Sequence, residues 1–137
     1  MKRGADQLLR MVGNTVQSLM VEIMFFGLEQ RGKIGEVSIA FEAGPRFTFG
    51  CAGDGSILVT RSHKQIADAP HTITVWRTLS GVRGELREAL AEPNSLRLRI
   101  GDATLVLVNN DDEMEVTVNG ESLDGKGSSL LKRDMVR

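Results

Sequence analysis

The chain has 137 residues, 41% of them hydrophobic and 26% charged, proportions that suit one globular domain and exclude wholesale disorder. Its 17 lysines and arginines stand against 18 aspartates and glutamates, and the net charge of −1 removes any global attraction to nucleic acid or an anionic membrane surface. The single cysteine, Cys51, excludes an internal disulfide framework and fits a reducing cytoplasm.

Met1-Lys2-Arg3 has the charge of a signal peptide, but Asp6, Gln7 and Arg10 interrupt the apolar core that such a peptide needs. Residues 5–12 place Leu8, Leu9, Met11 and Val12 at helical spacing, with Asp6 at the positive end of the helix dipole and Gly13-Asn14 as a stop. Residues 15–26 fit two patterns. Val12, Val16, Leu19, Met20 and Ile23 would line a helix face, whereas Leu19, Val21, Ile23 and Phe25 alternate as in a strand. The Gly-Asn break and the valine, isoleucine and phenylalanine content favour the strand. The most apolar run, residues 19–28, carries Glu22 and falls short of the roughly 20 residues that span a bilayer.

Gly32 and Gly35 mark a turn into a strand at 36–42, where Val37, Ile39 and Phe41 share a face. Gly44-Pro45 turns the chain, and residues 46–51 and 56–61 are strands on either side of Gly53-Asp54-Gly55. Residues 62–71 read as a polar surface loop, and residues 72–77 as an alternating strand. In residues 82–92, Leu86, Ala89 and Leu90 suit a short helix stopped by Pro93. Strands follow at 96–100, 104–108 and 114–119, with turns at Gly101-Asp102 and at residues 109–113.

Residues 37–59, laid without a gap over residues 96–118, bring apolar positions into register. Val37 falls on Leu96, Ile39 on Leu98, Phe41 on Ile100, Phe47 on Val106, Phe49 on Val108, Ile57 on Val116 and Val59 on Val118. The likeness is one of pattern, not identity, and so it bears on architecture. The expected fold is α+β: a mostly antiparallel sheet of two similar hairpin or meander units with one or two short helices. Residues 1–122 form one β-rich domain with halves at about 8–61 and 72–119, and residues 123–137 form a flexible tail. The overlaid copies part at their second turn, where Gly53-Asp54-Gly55 meets Asp112-Glu113-Met114.

No catalytic, metal or nucleotide motif stands out, and no cofactor is implied. Asp111, Asp112, Glu113 and Glu115 concentrate negative charge on a turn, which suits either a solvated hairpin tip or a face for a basic protein partner. The spacing does not make a calcium loop. Cys51 continues the apolar face of Phe47 and Phe49, so it reads as a small buried hydrophobe. Met24 and Phe26, opposite Val21, Ile23 and Phe25, give one strand two apolar faces, to be covered by the protein's own helices or by a second subunit; Trp76 is a further interface candidate. Arg61, His63 and His71 would converge on any ligand held between the halves. The absence of tyrosine weakens a case for nucleic-acid stacking.

Gly-Asn-Thr-Val-Gln-Ser-Leu at 13–19, Glu-Val-Ser-Ile-Ala-Phe-Glu-Ala-Gly at 36–44 and Leu-Arg-Leu-Arg-Ile-Gly-Asp-Ala-Thr-Leu at 96–105, with Glu-Val at 115–116, carry a family likeness. With them the chain resembles a group of small, uncharacterised bacterial β-rich proteins found among toxin-immunity proteins. Met114 stands where that group has an aromatic residue. The resemblance implies a compact cytoplasmic binding protein with no catalytic residues to carry over; with the absence of catalytic motifs and the acidic turn, the expectation is a non-enzymatic, immunity-like protein-binding module. Two other expectations stand beside it: a ligand-binding or enzymatic domain with its site between the halves, and a structural homodimer.

Overall fold

The computed structural model describes residues 3–25, 32–62, 74–79 and 81–123. Within them lie one helix, α1 (Arg3–Leu9), and the strands β1 (Thr15–Phe25), β2 (Gly32–Phe41), β3 (Arg46–Cys51), β4 (Ile57–Ser62) and β5 (Thr74–Thr78). Five more follow: β6 (Gly84–Glu92), β7 (Ser95–Ile100), β8 (Ala103–Asn110), β9 (Glu113–Val118) and β10 (Glu121–Leu123). All strand pairings are antiparallel, in the order β10-β9-β8-β7-β6-β1-β2-β3-β4, with β5 also paired to β1. The two meanders fold toward each other, so that β2 and β3 lie against β9 and β4 lies against β8. Their inner faces share one core in which Phe41, Phe47, Phe49, Leu98, Leu105 and Leu107 are almost fully buried.

The fold class is mostly antiparallel β, which corrects the α+β expectation. Residues 82–92, expected as a short helix, instead hold the strand β6 from Gly84 to Glu92. The reason is a β-bulge: Leu86 pairs with Ile100 and Glu88 with Arg99, so Arg87 is an extra residue on β6. The bulge leaves Leu86 and Ala89 on one face at a spacing of three, which imitates a helix. The same device at Gln17, between the pairs Val16↔Phe41 and Ser18↔Ala40, puts Val16 and Leu19 on one face of β1. Both helix-like patterns are therefore strands carrying an inserted residue.

Pairing also redraws the internal repeat. Val37, Ile39 and Phe41 do correspond to Leu96, Leu98 and Ile100, but Phe47 and Phe49 match Leu105 and Leu107, and Ile57 and Val59 match Met114 and Val116. All of these are buried, whereas Val106 and Val108 are only half-buried. The gapless overlay slips by one residue at each turn because the second copy has shorter turns. The repeat then extends to a fourth strand, since β1 matches β6 with the bulge at the same place. The Glu42 N–H donates to the Thr15 carbonyl (2.9 Å), as the Gly101 N–H donates to that of Glu85 (2.8 Å). Thr15 and Glu85, equivalent in the two copies, pair with each other across antiparallel β1 and β6. A local pseudo-twofold axis therefore runs between them.

Helix α1 caps the edge beside β4 by burying Ala5 and Leu8, and a Cβ at Gly4 would overlap the carbonyl oxygen of Val59. Leu9 and Val12 point outward. Leu123, at the head of the expected tail, is buried as the last residue of β10, and residues 124–137 lie outside the described residues. No helix among the described residues is long and apolar enough to cross a membrane.

Candidate functional site

The acidic turn is a two-residue hairpin loop joining β8 to β9. Asp111 and Asp112 have φ of 52° and 66°, the left-handed pair that a type I′ turn requires. What fixes it is Asn109, a buried polar residue on the inner face that Leu105 and Leu107 begin. Its Oδ1 accepts the Asp112 N–H (2.9 Å), closing the turn from inside. Its Nδ2 donates to the carbonyls of Ala52 (3.0 Å) and Ser56 (2.8 Å), which belong to the β3–β4 turn of the other half.

One side chain thus ties together the two turns at which the copies differ. The β3–β4 turn is itself braced, with the Asp54 carboxylate accepting from the Ser56 N–H (3.0 Å) and hydroxyl (2.6 Å). Sequence reasoning missed Asn109 as an anchor because β8 is apolar on both faces at Leu105-Val106-Leu107-Val108. The detectable signal was parity: with the leucines inward, Asn109 is the next inward position.

The four acidic candidates have different surroundings. Glu113 bridges to Lys33 of β2 (3.0 Å) with both groups exposed, a contact worth on the order of 0–1 kcal/mol. Glu115 accepts from Asn110 Nδ2 (2.8 Å). Asp111 and Asp112 are exposed at the tip, and Asp112 lies close enough to Cys51 to act on it. Burial first, and then that charge, push the Cys51 thiol up, which makes it a poor nucleophile. Cys51 is half-buried against the core.

The interface candidates lie elsewhere, on the outer face of the first meander. Trp76 pairs across from Glu22, and Met24 sits two positions further along β1 on the same face. Both are half-buried, and the Met24 side chain folds over Gly35, whose missing Cβ would meet Met24 Cε at 2.8 Å. Helix α1 packs on β4 and β6, not on this face. Phe26 lies outside the described residues. Of the ligand-pocket set, Arg61 is exposed at the end of β4, and His63 and His71 also lie outside the described residues.

Glu22 and Glu36 form a pair that sequence reasoning did not single out. They come together at a second irregularity in the β1–β2 ladder, between Val21↔Val37 and Ile23↔Ile34, and Gly35 gives the Glu22 carboxylate its room. Burial and then the Glu36 charge push the Glu22 carboxyl above its ordinary range, with the Glu36 backbone N–H pulling partly the other way; burial also raises Glu36. The folded state therefore holds the Glu22 proton more tightly than the unfolded chain. Its contribution is fully present in acid and is lost as the pH rises from the ordinary carboxylate range through the raised value. Glu22→Gln should melt higher than the wild type at pH 7, with the gap closing below about pH 4. A pH series of melting temperatures checks this, and a lower melting point at pH 7 contradicts it.

Among the described residues no group of three or more His, Cys, Asp or Glu side chains could hold a metal ion. A cavity of about 300 Å³ does open between α1, β4 and the β6–β7 hairpin, lined in part by Ser56. The molecule is thus a tandem-meander β protein with an acidic tip locked at the junction of its halves. No protein-family model, curated protein or solved structure matches the chain.

Proposed function

We propose that the protein is a non-enzymatic binding module of the immunity-like kind, whose recognition element is the acidic hairpin tip and whose partner is a protein with a basic surface. The supporting observation is Asn109. A solvated turn needs no buried anchor, whereas this one is held from inside the core, so that Asp111 and Asp112 project from a fixed backbone. Preorganised charge lowers the ordering cost of association and speeds encounter with a complementary partner.

The variant Asp111→Asn/Asp112→Gly separates binding from stability. It removes two charges while supplying the Asn-Gly pair that left-handed turn residues favour. Melting should rise by a few degrees, for a gain of about 0.5–1 kcal/mol. Affinity for a basic partner isolated on the wild-type protein should fall by about tenfold or more, with a shallower salt dependence, when the purified partner is titrated calorimetrically. Equal affinity for the two proteins would remove the tip as the contact.

A further inference from the structure

We propose that the cavity between α1, β4 and the β6–β7 hairpin is a binding site for a small amphiphilic amine, an apolar body with one ammonium head. Its walls are apolar: Ala5 of α1, Ile57 and Val59 of β4, Ala91 of β6 and Leu96 of β7. At about 300 Å³ it stands at the small end of ligand pockets and is about twice the size of an engineered cavity that takes up benzene.

The space has a structural origin in the repeat. Its pseudo-equivalent region lies at the β1–β2 hairpin, which continues past Glu22 through the pairs Ile23↔Ile34, Met24↔Lys33 and Phe25↔Gly32. There Ile23 and Ile34 are buried, β2 packs on β9, and Lys33 reaches Glu113. The corresponding β6–β7 hairpin stops at Glu92↔Ser95, closed by Pro93-Asn94, and the missing pairs leave the opening against β4. A cavity made by a shortened hairpin is a difference between the copies, as the acidic tip is.

The charge at the opening selects the ligand. The described lining residues carry one carboxylate, Glu92, and no cation. Ser56 is already committed through its hydroxyl to Asp54 (2.6 Å), which leaves Glu92 and the Ser95 hydroxyl to meet a polar head. A carboxylate at the mouth of an apolar space favours an ammonium group and repels an anion.

The experiment titrates the full chain with hexylamine, hexanol and hexanoate at pH 7, following the methyl resonances of Ile57, Val59 and Leu96. Hexylamine should give saturable shifts confined to these methyls. Hexanol should bind severalfold more weakly, and hexanoate at least tenfold more weakly than the amine. Glu92→Gln, an exposed position, should reduce hexylamine to the affinity of hexanol, and Ala91→Phe should abolish binding of all three while the protein stays folded. The absence of saturable shifts, equal affinity for the three probes, or retention of the amine preference in Glu92→Gln would each overturn the site. The acidic tip is not involved, so the result leaves the protein-binding reading untouched.

Discussion

Replacing Asn109 by alanine should destabilise the protein by roughly 2–4 kcal/mol, a fall in melting temperature on the order of 10 °C for a chain of this size. Three part-buried hydrogen bonds are lost together, all made by one buried side chain. The carbonyls of Ala52 and Ser56 keep their bonds from Gly55 (3.1 Å) and Ala52 (3.0 Å), which holds the penalty below that of two fully orphaned acceptors. The Asp112 N–H keeps nothing comparable, and the acidic turn should loosen.

Asn109→Asp, although nearly isosteric, should be worse than alanine at pH 7. It retains an acceptor for Asp112 but turns two donated bonds into a carboxylate facing two carbonyls, with Asp111 and Asp112 nearby. The penalty should shrink in acid, because a protonated carboxyl can again donate to one of the carbonyls. Denaturant melts of the two variants at pH 7 and pH 4 check both points. Equal stability of the aspartate variant and the wild type at pH 7 would show that Asn109 is not the clasp between the halves.

Much of the architecture can be read from residues alone, and its limits have definite causes. Alternation located β2, β3, β4, β7 and β9 because each has one apolar and one polar face, and the pairing of the inner faces made the duplication visible. It failed at β6 because a bulge changes the period from two to three for one step, and a three-residue spacing is also a helical signature. It misassigned the inward face of β8 because leucines and valines alternate there, and only the turn length decides which set faces the core. Shorter turns in the second copy moved that decision by one residue.

The candidate site was legible as composition and illegible as geometry. The acidic residues and their contrast with Gly53-Asp54-Gly55 are plain in the chain, but nothing local says that these turns touch. That follows from the pseudo-twofold arrangement, which folds the far ends of both meanders back onto one another. The cavity depends on the different lengths of two equivalent hairpins. It becomes visible only when the copies are compared in space.

The second large effect is expected at the pseudo-twofold axis, where Gly101→Ala should cost about 2–4 kcal/mol. Gly101 opens the two-residue β7–β8 turn with φ of 58°, and a Cβ there would stand 2.6 Å from the Arg83 carbonyl oxygen, closer than the backbone can tolerate. Its neighbour Gly84 has φ of 123°, and its Cβ would meet the Gly101 Cα at 3.2 Å. In the first copy the position equivalent to Gly101 is Glu42, which a four-residue turn through Gly44-Pro45 makes possible. The glycine is thus required by the shorter turn and by the closeness of the chains where β6 starts beside β1.

Gly120→Ala provides the control. Gly120 has φ of 83° with nothing within 4 Å of a modest side chain, so it should show only the conformational cost, about 1 kcal/mol. Gly84→Ala and Gly101→Ala touch each other, and their combined cost should depart from additivity by more than about 0.5 kcal/mol. Equilibrium denaturation of the three single variants and the double variant measures this. If Gly101→Ala costs no more than Gly120→Ala, the close approach of the β7–β8 turn to the start of β6 is wrong.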